Sequence, residues 1–315
     1  MSAPSSPLFA DLIGQSLAVN LLDAALRTQR LAPAYLFAGP EGVGRRLAAL
    51  RFLEGVLSAG AASDRQRRRL EAGNHPDLLW VEPTFQHQGR LLTRAEADEA
   101  GVSRRTPPQL RLEQIRAVSR FLGRQPVEAQ RGMVVIEAAE AMPEAAANAL
   151  LKTLEEPGQG LLILLSAAPE RLLSTIRSRC QLIRFLRLET TALQTVLARC
   201  DATAEDSAEV LALASGSPGA LIAHREKLDA LPSDLLERLA TPPVSARQAL
   251  ALARDLTEAL DGEQQLWLLN WWQQKLWHSG ESAASLRRLE TLRRHLLGFV
   301  QPRLAWEVAL LELVA

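Results

Sequence analysis

The apolar run from Ala34 to Ala38 leads straight into Gly39, Pro40, Glu41, Gly42, Val43, Gly44, Arg45 and Arg46, and a helical pattern follows to Leu57. A buried strand, a glycine-rich turn and a helix in that order define the context of a phosphate-binding loop, and they commit the chain to a parallel α/β sheet. A working loop of this kind reads G-x-x-x-x-G-K-[S/T]. Its backbone N–H groups and helix N-terminus hold the phosphates, its Lys reaches the outer phosphates and its hydroxyl ligates Mg²⁺. Gly39, Gly42 and Gly44 are all present, but Arg45 stands at the Lys position and Arg46 at the hydroxyl position. A planar, permanently charged guanidinium neither replaces a slim ammonium nor coordinates a cation. The loop is therefore expected to bind ATP weakly or not at all and not to hydrolyse it.

A later strand carries a third loss. In nucleotide-hydrolysing sheets the strand after the loop's helix ends in an Asp that holds Mg²⁺, with a Glu that polarises the attacking water. Here Met133 to Ile136 is followed by Glu137, Ala138, Ala139 and Glu140. Glu137 is a degenerate form of that motif, and Ala138 replaces the base. Further strands are expected at Leu78 to Val81 and Leu161 to Ser166, and helices at Gln15 to Gln29, Leu112 to Leu122 and Pro143 to Glu155. The stretch from Glu82 to Pro108, charged and broken by Pro and Gly, reads as an irregular surface excursion.

After Phe185 the strand signals stop and helical patterns take over, punctuated at Gly216 to Gly219 and at Thr241 to Pro243. Three domains are expected: an α/β domain over 1–185, a small helical lid over 186–228 and an all-helical C-terminal collar over 229–315. Trp267, Leu268, Leu269, Trp271, Trp272 and Leu276 fill an arc of about 200°, wider than the roughly 100° stripe that covers one core. This helix is expected to bury two faces, in a bundle core or at a subunit interface.

The composition excludes several function classes. With 36 Lys and Arg against 36 Asp and Glu, the chain has no global basic field to carry it onto nucleic acid unaided. Two cysteines, Cys180 and Cys200, are too few for a Cys₄ zinc site and fit a reducing compartment. No apolar run reaches the roughly 20 residues of a membrane span, so a cytoplasmic protein is expected. The five histidines have no metal-site spacing. The cluster Arg65, Arg67, Arg68 and Arg69 could meet phosphates, but it reads first as a solvated helix face balanced by Asp64 and Glu71.

The decamer from Asn148 to Pro157, the downstream Ser178, Arg179, Cys180 and Gln181, and Ile13, Gly14 and Gln15 after Phe9 together resemble the bacterial clamp-loader branch of the AAA+ proteins. The run Ala214 to Ala220 is similar to the lid region of that branch. The resemblance implies an AAA+ module followed by lid and collar, and a non-hydrolysing subunit of the loader that serves the replicative DNA polymerase. Such a subunit would pack beside the gamma/tau ATPase, with the delta subunit, the sliding clamp and, through the assembly, primed DNA as partners. Arg179 would then act in trans, on ATP bound by the neighbouring subunit. Many relatives carry a four-cysteine zinc insert before the His-Pro-Asp element. Here Ser58 to Gly73 has no cysteine although His75, Pro76 and Asp77 remain, so no zinc is expected. Two other readings share these residues: an active AAA+ ATPase with Arg45 in place of the Lys, and an AAA+ adaptor outside replication.

Overall fold

The structure is a computed structural model that describes residues 7–100, 107–202, 205–240, 243–280, 283–298 and 300–313. The chain divides into two compact units. One comprises the described residues up to 202 together with 216–219, and the other comprises 205–215 and the described residues from 220 onward.

The first unit is built on a parallel sheet of β1 (Ala34–Ala38), β2 (Leu78–Val81), β5 (Met133–Ile136), β6 (Leu161–Ser166) and β7 (Gln181–Arg184), in the order β2-β5-β6-β1-β7. A separate antiparallel hairpin pairs β3 (Phe85–His87) with β4 (Arg90–Leu92). The helices of this unit are α1 (Ser16–Arg27), α2 (Arg45–Leu57), α3 (Asp64–Glu71), α4 (Arg94–Glu99), α5 (Leu112–Leu122), α6 (Glu144–Glu155), α7 (Ser174–Arg177) and α8 (Thr190–Arg199). Every residue of β1, β5 and β6 is buried, because helices cover both faces of a parallel sheet and each strand must be apolar throughout. Alternation along β1 sends Ala34, Leu36 and Ala38 into a core with Ile115, Val118, Leu150 and Leu154. Tyr35 and Phe37, pointing the other way, pack with Phe52 and Phe185.

The expected strands and principal helices are present. The excursion after Glu82 is more regular than expected: it holds the β3–β4 hairpin and α4, while residues 101–106 lie outside the described residues. Thr84 joins it to Gln109 by paired backbone hydrogen bonds of 2.9 and 3.1 Å. Three-residue strands around Gln88 and Gly89 are too short for alternation to reveal them.

The second unit is helical: α9 (Ala208–Ala214), most of α10 (Pro218–Asp229), α11 (Ser233–Ala240), α12 (Ala246–Ala259), α13 (Gly262–His278), α14 (Ala283–Leu297) and α15 (Pro302–Leu311). A capping box of Asp261 and Gln264 starts α13. Its wide apolar arc is used inside the unit. Trp267, Leu268, Leu269, Trp271 and Trp272 are buried, α9 and α14 pack against the helix, and Trp272 stacks on Trp306 of α15. The bundle core therefore accounts for the arc, and only Trp277 at its end is strongly exposed. No helix among the described residues is long and apolar enough to cross a membrane.

Candidate functional site

The sheet order places the glycine loop at the carboxyl end of β1, between β6 and β7, where open α/β sheets bind their ligands. Gly42 and Gly44 take φ of +76° and +101°, values that strain any side chain. Gly39 is glycine for a different reason: a Cβ there would lie 2.3 Å from the carbonyl oxygen of Phe185. The loop's carbonyls are engaged by the surrounding chain. Ser217 Oγ donates to Glu41 O at 2.6 Å and Gly219 N to Gly42 O at 3.1 Å. Gln15 Nε2 donates to Val43 O at 3.2 Å and to Leu186 O at 2.7 Å, and its Oε1 accepts from Leu186 N at 3.0 Å. The buried Gln15 amide thus ties the segment before α1 to the loop and to the chain leaving β7.

Arg46 crosses to β2 and β5. Its Nη1 pairs with Glu137 and, at 3.0 Å, with Glu82, while the guanidinium carbon lies 4.7 Å from the centre of the Trp80 ring. Trp80 Nε1 donates to the same Glu137 oxygen at 2.7 Å. Burial raises the Glu137 carboxyl above its usual range, against the pull of Arg46 and Trp80. In a metal-dependent site these two positions would supply a hydroxyl and a carboxylate to Mg²⁺. Here a cation fixed to the chain already neutralises the carboxylate, so this donor set does not fit a divalent metal. Arg45 is half-buried, and its Nη1 has no hydrogen-bond partner among the described residues. Burial lowers its pKa, against the fields of Glu140, Glu41 and Glu137. Ala138, at the position of the base, has φ +43°. Glu140 instead accepts a hydrogen bond from Ala167 N at 3.0 Å.

Arg179 follows α7 and is exposed. Nη2 pairs with Glu155 at 2.9 Å and Nη1 donates to Thr175 O at 3.1 Å, leaving the other N–H groups of the fork unused. Glu155 is the last residue of α6, where a carboxylate meets the negative end of the helix dipole and gains from a cation. Cys180 is half-buried in apolar surroundings that push its thiol up to about 12, so it is an inert neighbour rather than a reactive one.

The cysteine-free stretch before His75 contains α3, capped by Ser63 Oγ. Fully buried Glu54 accepts from Ser63 N at 2.7 Å and from Arg67 Nε at 2.9 Å, and Arg51 bridges Asp11 at 2.7 Å and Glu71 at 3.0 Å. Arg69 forms a fork on Glu128 at 2.7 and 3.0 Å. Two of the four clustered arginines are thus ion-paired within the fold. The His-Pro-Asp element is structural too. Asp77 accepts three backbone N–H bonds, from Val127, Glu128 and Ala129 at 2.6 to 2.7 Å. Burial opposes its ionisation, but these bonds prevail and hold its carboxyl below the usual range.

A glycine loop after the first strand of a β2-β5-β6-β1-β7 sheet, with a helical region following in the chain, defines an AAA+-type module. A gamma subunit-related protein of DNA polymerase III from Thermotoga maritima shares this fold, at TM-score 0.54 and 19% identity over 92% of this chain and 97% of that one. Residues 14–189 match the family described as DNA polymerase III, delta subunit, and residues 191–313 match that described as cyanobacterial DNA polymerase III delta prime, C-terminal domain. The chain belongs to the DNA polymerase III delta prime family. It is 34% identical over 182 residues to the delta prime subunit of Bacillus subtilis, covering 56% of this chain and 49% of that protein. Against the delta prime subunit of Pseudomonas aeruginosa the identity is 37% over 196 residues, 59% of this chain and 54% of that one. The chain thus spans about half the length of the curated relatives it matches.

Proposed function

We propose that this chain is a clamp-loader subunit of DNA polymerase III that hydrolyses no ATP itself and presents Arg179 to ATP bound on a neighbouring gamma/tau subunit. The observation that carries the non-hydrolysing half is the Arg46–Glu137 pair, which puts a protein cation where catalysis needs a metal. The arginine half is supported by an exposed guanidinium with free donors, held at the end of a short helix. Such a cation stabilises charge developing on the transferred phosphoryl group and contributes roughly 10³- to 10⁵-fold in rate where fingers of this kind have been dissected. In this reading the glycine loop survives as a joint, since its carbonyls bind Ser217, Gly219 and Gln15. The helical region from 229 onward serves as the collar. The delta subunit, the sliding clamp and primed DNA are partners within the assembly, and neither zinc nor tightly bound nucleotide is held.

Reconstitution with gamma/tau, delta and clamp tests the proposal. Arg179→Ala should leave assembly intact, lower the clamp- and DNA-stimulated ATP turnover in part and reduce clamp loading more strongly. A mutant complex that loads clamps at the wild-type rate removes the finger. Mg²⁺-dependent turnover by the isolated chain removes the non-hydrolysing assignment.

A further inference from the structure

Strand β7 ends the sheet and pairs on one side only, with β1. Phe185 N donates to Ala38 O at 2.8 Å, which fixes which backbone groups face which way. Residues alternate along a strand, so Gln181 and Ile183 also face β1, whereas Leu182 and Arg184 turn their N–H and C=O groups outward. Leu186, next in the outward series, is satisfied by the Gln15 side chain. Among the described residues nothing hydrogen-bonds the outward backbone groups of Leu182 and Arg184.

The same two residues line a cavity of about 540 Å³. Its wall includes exposed Leu182 and Leu186 beside Pro40, two arginines, Arg177 and Arg184, and no carboxylate. Neither arginine has an ion-pair partner among the described residues, in contrast to Arg46, Arg67, Arg69 and Arg179. An open edge, apolar wall and unpaired cations therefore meet at one place.

We propose that the β7 edge is a docking site for an extended acidic segment of a partner protein, which adds a strand beside Leu182 and Arg184 and sets its carboxylates against Arg177 and Arg184. Main-chain bonds to the edge supply affinity and the arginines supply selection. A nucleic acid satisfies the charge but has no alternating N–H and C=O groups for the edge. A second copy of this chain paired through β7 would bring Arg184 into a strand ladder beside like charge, which is unfavourable.

The test uses the full chain and a fluorescein-labelled, capped hexapeptide alternating Glu and Val, followed by fluorescence anisotropy. Binding with Kd below about 1 mM is expected, with protection of the Leu182 and Arg184 amides from hydrogen exchange. A hexapeptide alternating Lys and Val should bind at least about tenfold more weakly, since like charges are juxtaposed. The Glu/Val peptide N-methylated on alternate residues, which cannot complete the ladder, should not bind. The double variant Arg177→Glu, Arg184→Glu changes only exposed side chains and should invert the preference between the two charged peptides. The proposal is overturned if no binding is seen, if the Lys/Val or the N-methylated peptide binds as well, or if protection falls outside β7. Displacement of the Glu/Val peptide by oligothymidylate without loss of binding on N-methylation overturns it in favour of a nucleic-acid site.

Discussion

Arg46 and Arg179 lie in the same α/β unit and are both exposed, but their charge goes to different places. Arg46 is held by Glu137, Glu82 and the face of Trp80, groups from β2, β5 and the residues that follow them. Arg179 has one carboxylate, itself half exposed at 53%, and one carbonyl, and it keeps free donors. A cation held by two carboxylates and a ring of its own chain must give up several contacts to meet a ligand, even where, as at Arg46, its side chain stays 58% exposed. One with a weak, solvent-screened partner can change partners at little cost. The engagement of Arg46 within the fold and the outward reach of Arg179 are thus two uses of the same side chain, separated by what surrounds it.

The largest effect is expected where the loop acts as a joint. Gly39→Ala forces a Cβ to within 2.3 Å of the Phe185 carbonyl oxygen, and the backbone must shift. A destabilisation of about 3 kcal/mol is expected, read as a lower denaturant midpoint with unchanged slope. A wild-type midpoint would mean that the loop is not the constrained joint described here.

The charge of Asp77, like that of Arg46, is used within the fold. Its folded-state pKa is depressed, so the stability it contributes is present above the unfolded carboxylate value and is lost as pH falls through the folded one. Asp77→Asn should cost about 2 kcal/mol at pH 7, and its melting curve should converge on the wild type in acid. A pH-independent difference would assign the loss to packing instead of charge.

Arg46→Ala should cost about 1 to 2 kcal/mol at pH 7, with a deficit that also grows as pH rises, though for a different reason. Glu137 has a raised folded-state pKa and would be raised further without its cation. A raised group favours folding at low pH and loses that advantage as pH climbs through its folded pKa, so the variant's deficit should be smallest near pH 4 and grow towards neutrality. Thermal melts across that range check the sign; a deficit that shrinks on the way to pH 7 contradicts the pairing.

The smallest effect tests the outer half. Glu155→Ala should change the stability of the isolated chain by less than about 1 kcal/mol, because the Arg179–Glu155 pair is solvent-screened on both sides. A loss comparable to that of Gly39→Ala would place Arg179 among the arginines consumed by the fold and erase the distinction.

Sequence alone determined the α/β order of the first unit, the helical character of the second and the three substitutions at Arg45, Arg46 and Ala138. Those features are local: runs of buried strand residues, turn glycines and helical periodicity are written within ten or so neighbouring positions. Tertiary structure decided what the substituted residues do. Arg46 meets Glu137 across 91 positions, and Gln15 meets Leu186 across 171, because the sheet sets β1, β5 and β7 side by side or nearly so in an order the chain does not follow. The use of Arg67 and Arg69 in internal ion pairs, the cation for Glu155 and the filling of the tryptophan arc by α9 and α14 depend on the same long-range placement. Periodicity records which face of an element is apolar, but not which element will cover it, and a charge in the sequence does not name its partner. Only the packed chain brings the two together, and their distance and exposure then decide whether a charge is spent inside the fold or left for another molecule.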